Sequence, residues 1–160
     1  MPTPPFKQAQ RDWYHWFMAT ERGAKAIEKD RRGFTHLHWE NWAPDGWFDE
    51  ATFGAVARAF DNPDWVAVML HSYRSRWDEE TPDPASEWLE EKVKQTKTLS
   101  LPAIFFQGDD DGVNPPATSE EVHEKFTGPF ERILLQNVGH FPQREDPETV
   151  ARNLHHFLLS

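Results

Sequence analysis

The sequence contains no cysteine in its 160 residues. Disulfides, thiolate zinc sites and a cysteine nucleophile are therefore excluded, and a reducing, cytoplasmic setting is the expectation. Basic residues are fewer than acidic ones: the chain has 17 Lys and Arg and 27 Asp and Glu, which gives a net charge of -10. Phosphate recognition needs clustered Lys and Arg, so we expect neither nucleic acid nor an anionic membrane as a partner.

Long apolar runs are missing as well. No stretch approaches the roughly 20 residues of a membrane span, and the start at Met1–Pro5 has no apolar signal core. The mean hydropathy of -0.79 and the apolar content of 38% are low for a self-sufficient core. The apolar residues that are present are unusually aromatic, with 8 Trp and 12 Phe. We expect a soluble chain of one domain or two small ones.

Helical spacing of apolar residues runs from residue 8 to about residue 97. A helix is expected from Asp64 to about Trp77, and a charged one from about Ala85 to Thr96, with a Pro-rich and acidic break at Asp78–Pro84 between them. The sequence therefore predicts a helical domain over 1–97. Its clearest apolar positions at intervals of 3 and 4 are Trp13, Trp16, Phe17, Phe53, Val56, Ala57 and Phe60.

After residue 102 the apolar residues no longer follow helical spacing but form short runs bounded by turn residues. Ala103–Gln107 and Arg132–Gln136 suit buried parallel strands. A helix from Pro116 to about Phe126 is expected between them, and a last helix from about Pro147 to Leu159. The order strand, helix, strand predicts an α/β architecture with a right-handed crossover over 98–160.

Two parallel strands are too few for a sheet that stands alone. Parallel sheets occur almost only as larger units flanked by helices. We therefore infer that strands are missing from this chain or that another chain supplies them. Such a chain is either a separate N-terminal half or a second copy in a homo-oligomer, paired through exposed strand edges near Phe105 and Leu134.

Chemically capable residues directly follow both predicted strands. Gly108–Gly112 follows the first strand, and Gly139–Phe141 follows the second. Open α/β sheets gather catalytic groups at the carboxyl ends of their strands. A carboxylate there can orient an imidazole whose other nitrogen takes up a proton. A solvated turn and a surface histidine explain the same residues equally well.

The segments 101–111 and 138–147 together resemble the C-terminal part of the α/β-hydrolase superfamily. In that family a G-x-x-D turn supplies the acid of the catalytic triad, and a G-H motif supplies the histidine. The resemblance implies that Asp111 is the acid and His140 is the base. The E-x-P start of the last helix, at Glu145–Pro147, agrees with the same pattern.

The first half is similar to the helical cap of the epoxide hydrolase and haloalkane or haloacid dehalogenase branch, through 13–17 and 62–74. Epoxide hydrolases of this branch use two cap tyrosines to donate hydrogen bonds to the epoxide oxygen, and Tyr14 and Tyr73 are the 2 tyrosines here. Fluoroacetate dehalogenases place a His-Trp pair and a Tyr around the halide, which implies His15, Trp16 and Tyr73. Both sets offer neutral donors to a developing anion. Packing of the cap helices explains each aromatic residue equally well.

A nucleophile is not identifiable. The family places it on an elbow, G-x-S-x-G or G-x-D-x-G, between a strand and a helix upstream of the cap. A literal G-x-D-x-G occurs at Gly108–Gly112, centred on Asp110. In an elbow the helix follows the nucleophile turn directly, whereas here residues 113–116 separate Gly108–Gly112 from the next expected helix. We therefore interpret Gly108–Gly112 as the turn that carries the acid. The oxyanion-hole segment is also missing.

These patterns predict the cap and C-terminal half of an α/β-hydrolase that acts on an epoxide, carbon–halogen or ester bond of a small apolar molecule. The alternative is a non-catalytic fragment that self-associates or pairs with a separate N-terminal half. Whether the chain by itself is an enzyme stays open. No cofactor is expected, and no metal either, because His36 and His38 have no identifiable third ligand.

Overall fold

The computed structural model describes residues 4–77, 81 and 83–159. Helices fill the first part of the chain: α1 Phe6–Arg11, α2 Trp13–Ala19, α3 Glu21–Lys29, α4 Arg31–Trp42, α5 Glu50–Ala57, α6 Trp65–Arg74 and α7 Glu87–Gln95. Strands β1 Ala103–Gly108 and β2 Phe130–Leu135 follow, and then helices α8 Pro142–Glu145 and α9 Pro147–Leu159. Short 3₁₀ turns lie at Arg58–Asp61, Ser75–Trp77, Pro84–Ser86, Pro116–Ser119 and Val122–Lys125.

Contacts between residues group the chain into two compact units. The described residues of Met1–Trp39 and Phe48–Glu87 form the first unit, and those of Glu40–Trp47 and Trp88–Ser160 form the second. The assignment of 1–97 to a cap and 98–160 to a core stays a prediction, because a grouping by contacts identifies neither. Within the described residues, no helix has the length and apolar content needed to cross a membrane.

In the first unit, helices α2 to α6 each bury residues, whereas no residue of α1 is buried. Helices α3, α4 and α5 begin at side-chain caps: Thr20 Oγ1 accepts the Gly23 N–H at 3.0 Å, Asp30 Oδ1 accepts the Gly33 N–H at 2.8 Å, and Asp49 Oδ1 accepts the Thr52 N–H at 2.7 Å. The buried side chains recur at helical spacing and include Tyr14, Met18, Ile27, Phe53, Ala57, Phe60, Val66 and Leu70.

The buried face of α2 lies one position along the helix from the apolar face that the sequence predicts at Trp13, Trp16 and Phe17. Tyr14 and Met18 are buried, whereas Trp13 is 38% exposed and Trp16 is 49% exposed. In a helix whose residues are nearly all large and apolar, spacing alone does not choose between adjacent faces. The contact of α2 with α3 and α6 makes that choice.

The second unit contains the predicted parallel strand pair. β1 and β2 pair in parallel, with Ala103 opposite Phe130 and Gly108 opposite Leu135. Helix α9 contributes Val150 to the core beside Leu135 and Val138, and Phe106 and Ile133 pack against these residues. The strands and the last helix are therefore confirmed.

The helix expected from Pro116 to Phe126 was wrong. Two 3₁₀ turns replace it, since the Thr118 N–H reaches back only to the Pro115 carbonyl at 2.8 Å. The Pro116 carbonyl accepts from Arg132 Nη2 at 2.8 Å and from Ser119 Oγ at 3.1 Å. These bonds occupy an acceptor that an α-helix would use. The expected break at Asp78–Pro84 lies largely outside the described residues.

Candidate active site

The acid turn, residues 109–114, begins where β1 ends. The Asp109 N–H donates to the Leu135 carbonyl at 2.9 Å, which continues the parallel ladder by one bond. Asp111 Oδ1 then accepts the N–H groups of Val113 and Asn114 at 2.8 and 2.9 Å. This turn fixes the carboxylate through one oxygen and leaves the other oxygen for a second donor.

The base turn, residues 136–141, follows β2 at the same edge of the strand pair. Asn137 adopts a positive φ of 56°, and its N–H donates to Asp109 Oδ1 at 2.7 Å. His140 Nδ1 lies 3.0 Å from Asp111 Oδ2, a distance at which the ring N–H donates to the carboxylate. The Asp111 side chain is 7% exposed and that of His140 is 29% exposed. The carboxylate is thus hidden while the imidazole stays accessible.

Trp42 joins the two turns. Its carbonyl accepts the His140 N–H at 2.9 Å and the Gly112 N–H at 3.3 Å, and its ring meets the imidazole edge-on at 4.9 Å between centroids. Sequence reasoning missed this residue, because a backbone carbonyl has no sequence signature. The sequence feature linked to this contact is the glycine at position 112. Any larger residue there would place its Cβ 2.0 Å from the Asn41 carbonyl oxygen, next to Trp42.

Solved structures that share this fold are α/β-hydrolases. A candidate epoxide hydrolase from Klebsiella pneumoniae superposes with a TM-score of 0.90 at 31% identity, over 98% of this chain and 52% of its own. A loop variant of a haloalkane dehalogenase from Bradyrhizobium elkanii gives a TM-score of 0.71 at 17% identity, over 99% of this chain and 52% of its own. The chain is the C-terminal part of an α/β-hydrolase fold.

A curated relative agrees with this assignment. Epoxide hydrolase A from Mycobacterium tuberculosis is 34% identical over 62 residues, which are 39% of this chain and 19% of that protein. No protein-family model matches. The chain spans about half the length of the solved α/β-hydrolases that it matches. The predicted fold class and family resemblance are therefore confirmed.

A cavity of about 420 Å³ borders the Asp111–His140 pair in this α/β-hydrolase part. Its lining comes from β1, both turns, the 3₁₀ turns between β1 and β2, and the start of α8, and it includes Phe105, Gln107, Asn114, Ser119 and Pro142. Gln107 is buried, and its Nε2 donates to the Gly108 and Asn114 carbonyls at 3.0 Å each. Gln107 thereby links the carbonyl just before the acid turn to the carbonyl of the last residue of that turn.

Asp110 does not lie on a strand–turn–helix elbow. β1 ends at Gly108, and the next helical segment is the 3₁₀ turn that begins at Pro116. The Asp110 N–H donates to the Val138 carbonyl at 3.0 Å, so this backbone position connects the acid turn to the base turn. The geometry argues against a nucleophile elbow at 108–112, and the role of Asp111 as the acid stays a prediction.

The aromatic residues expected to line the substrate site lie in the first unit. Tyr14, His15 and Tyr73 cluster, with ring centroids of Tyr73 at 5.7 Å from Tyr14 and 5.3 Å from His15. Burial raises the pKa of Tyr73, although the nearby Arg76 opposes this shift, so the phenol stays a neutral donor at pH 7. Trp16 is 49% exposed and has no ring contact within the described part of the chain.

The two imidazoles considered for a metal have other partners. His36 Nε2 lies 2.8 Å from Glu50 Oε1, and His38 Nδ1 donates to the Phe34 carbonyl at 2.6 Å. Among the residues that the structure describes, no three His, Asp or Glu side chains are grouped to hold a metal.

Histidine burial predicts a pH dependence of stability. Burial lowers the pKa of His38 below its ordinary value of 6.5, against a smaller opposing effect of the Phe34 carbonyl, and burial lowers the pKa of His15 in the same way. The unfolded chain then binds protons that the folded chain does not. The stability contribution is present above about pH 6.5 and is lost as the pH falls from there through the lowered folded-state pKa.

The check is urea unfolding of the wild type and of His38→Gln between pH 7.5 and 5.5. We expect the free energy of unfolding of the wild type to fall across this range, and the fall to be smaller in the variant. His71→Gln, at an exposed position of α6, is the control and should keep the wild-type slope. Equal slopes for all three proteins would contradict the prediction.

Proposed function

We propose that this chain supplies the base and its orienting acid to an epoxide-hydrolysing α/β-hydrolase whose nucleophile comes from the other half of the fold. The observation that carries the proposal is the 3.0 Å contact between Asp111 Oδ2 and His140 Nδ1 at the ends of neighbouring parallel strands. In this arrangement a buried carboxylate orients an accessible imidazole, which suits the imidazole to act as a general base.

The proposed chemistry has two steps. A carboxylate of the missing half attacks an epoxide carbon, the carbon–oxygen bond opens and an ester forms, while the ring oxygen takes the phenolic proton of Tyr14 or Tyr73. A water molecule then gives a proton to His140 Nε2 and attacks the ester, and Asp111 stabilises the imidazolium. The imidazolium gives its proton to the departing alkoxide oxygen, so the ester cleaves and releases a diol. The carboxylic acid that remains returns its proton to the tyrosinate, which restores the nucleophile.

Tyr14 and Tyr73 are the proposed donors to the epoxide oxygen. The proposal is supported by their ring contact at 5.7 Å, which places two neutral phenol groups side by side. The halide alternative needs His15, Trp16 and Tyr73 together, and the exposed Trp16 fits that set less well. A small apolar epoxide is therefore the preferred substrate class.

The proposed partner is an N-terminal half that pairs with β1. Within the described residues, β1 has β2 as its one neighbouring strand. The backbone N–H groups of Ala103 and Asp109 donate on the side of β1 that faces β2. Because backbone groups of alternate residues in a strand point to opposite sides, the N–H and C=O groups of Ile104 and Phe106 point away from β2. A parallel strand added there would end beside the acid turn. The cytoplasm stays the proposed compartment, because nothing in a cysteine-free chain calls for an oxidising one.

The test is complementation. We define the complemented enzyme as this chain co-expressed with the part of the Klebsiella relative that this chain does not cover. Neither polypeptide alone is expected to hydrolyse an aryl epoxide, whereas the complemented enzyme should. Asp110→Asn should leave turnover unchanged, and Asp111→Asn should lower it.

Three outcomes would contradict the proposal. Turnover by this chain alone that Asp110→Asn abolishes would move the nucleophile to Asp110. A complex that forms without turnover would reject the hydrolase role. A homodimer in which the amides of β1 become protected, and which excludes the N-terminal half, would support the non-catalytic alternative.

A further inference from the structure

The backbone around His140 is held at three consecutive N–H groups. The Gly139 N–H donates to Glu145 Oε2 at 2.6 Å, and the Phe141 N–H donates to Glu145 Oε1 at 2.8 Å. The His140 N–H between them donates to the Trp42 carbonyl at 2.9 Å. One carboxylate therefore spans the histidine and binds the peptide group on each side of it.

The position of Glu145 in the chain makes this reach possible. Pro142 begins the short helix α8, and Glu145 ends it, so one helical turn returns the side chain toward the residues that precede the helix. Both carboxylate oxygens bond to backbone N–H groups, and bonds of this kind to a charged acceptor are shorter and stronger than neutral ones. Glu145 is also partly buried, which reduces competition from water.

The consequence for the imidazole is geometric. The side-chain contact with Asp111 fixes one ring nitrogen of His140, but it does so only if the backbone of residue 140 stays in place. That backbone lies in an irregular turn between β2 and α8, where no ladder of hydrogen bonds holds it. The Glu145 carboxylate and the Trp42 carbonyl together supply the constraint that a regular element would give, and Glu145 does so on both sides of the histidine.

We propose that Glu145 is a positioning residue, which sets the orientation of His140 toward Asp111 by binding the N–H groups on both sides of the histidine. The catalytic consequence rests on the proposed function, whereas the positioning itself does not. Glutamate is required at this position because glutamine would present an amide N–H₂ to one of the two backbone donors, and aspartate is one methylene shorter.

The experiment compares wild type, Glu145→Gln and the control Glu148→Gln, which alters an exposed glutamate in the first turn of α9. Amide hydrogen exchange of the labelled full chain is followed by NMR, together with the downfield Nδ1–H proton of His140. In Glu145→Gln, the amide of Gly139 or Phe141 should exchange about 10- to 100-fold faster, the equivalent of losing one hydrogen bond to a charged group. The Nδ1–H signal should broaden, while the β2 amides should keep their exchange rates. Glu148→Gln should match the wild type.

The complemented enzyme gives the second measurement. Glu145→Gln is expected to lower kcat about tenfold with little change in KM, because a misplaced base affects the chemical step more than substrate binding. Unprotected amides at Gly139 and Phe141 in the wild type, or an unchanged Nδ1–H signal in Glu145→Gln, would overturn the positioning role. A wild-type complex that shows the protected amides and the Nδ1–H signal but no turnover would reject the proposed function alone.

Discussion

His140→Gln is expected to lower turnover by the complemented enzyme about 10²–10⁴-fold, which is the range that a positioned general base contributes. Glutamine is close to histidine in size but does not accept a proton from water near pH 7. The first step, attack by the nucleophile, does not use His140 in the proposed mechanism. The covalent ester should therefore form and persist.

Mass spectrometry after a short incubation with the epoxide provides the direct measurement. The polypeptide that carries the nucleophile should gain the mass of one substrate molecule in His140→Gln, and the wild type should show little of this adduct. His123→Gln, at an exposed histidine of the second unit, serves as the control and should turn over like the wild type. An adduct on this chain rather than on the N-terminal half would place the nucleophile here, and full turnover in His140→Gln would show that another group is the base.

The strand patterns placed Asp111 and His140 after two neighbouring strands, but a solvated turn and a surface histidine explained these residues equally well. The family resemblance favoured the Asp111–His140 contact. β1 and β2 are apolar runs bounded by Pro or Gly, and parallel pairing brings their carboxyl ends to one edge. An acid after one strand and an imidazole after the other then need only turn geometry to meet. The G-x-x-D and G-H motifs encode that turn geometry.

The residues and segments that hold the Asp111–His140 pair in place could not be predicted from the sequence in the same way. Trp42 acts through a backbone carbonyl and lies far along the chain from Gly112 and His140, so neither residue type nor spacing marks it. The segment from Pro116 to Phe126 has helical spacing, yet Arg132 binds the Pro116 carbonyl and leaves two 3₁₀ turns. In both cases a contact distant in sequence decides the local structure, which local propensity does not report.

Gly108→Ala is expected to destabilise the second unit by about 3 kcal/mol or more, the upper range for overpacking a close contact. A Cβ at this position would lie 2.1 Å from the Val138 carbonyl oxygen and 2.2 Å from that of Gly139. Both are backbone atoms of the base turn, so neither is able to move aside as a flexible side chain would. Relief of the clash would separate β1 from the turn that carries His140.

Two other glycines separate this clash from the general effects of adding a methyl group. Gly54, in α5, has nothing within 4 Å of the position that a Cβ would take, so Gly54→Ala should stabilise the helix by about 0.5–1 kcal/mol. Gly46 also has open space but a φ of 78°, so Gly46→Ala should cost about 1–2 kcal/mol through backbone strain alone.

Denaturant unfolding followed by circular dichroism should therefore rank the variants with Gly108→Ala least stable, then Gly46→Ala, then the wild type, then Gly54→Ala. The same clash should also weaken the contact between His140 and Asp111, because the base turn is the part of the second unit that must shift. If Gly108→Ala unfolds at the same denaturant concentration as the wild type, then Val138 and Gly139 do not approach β1 this closely. The shared edge that brings the acid and the base together would then lose its structural basis.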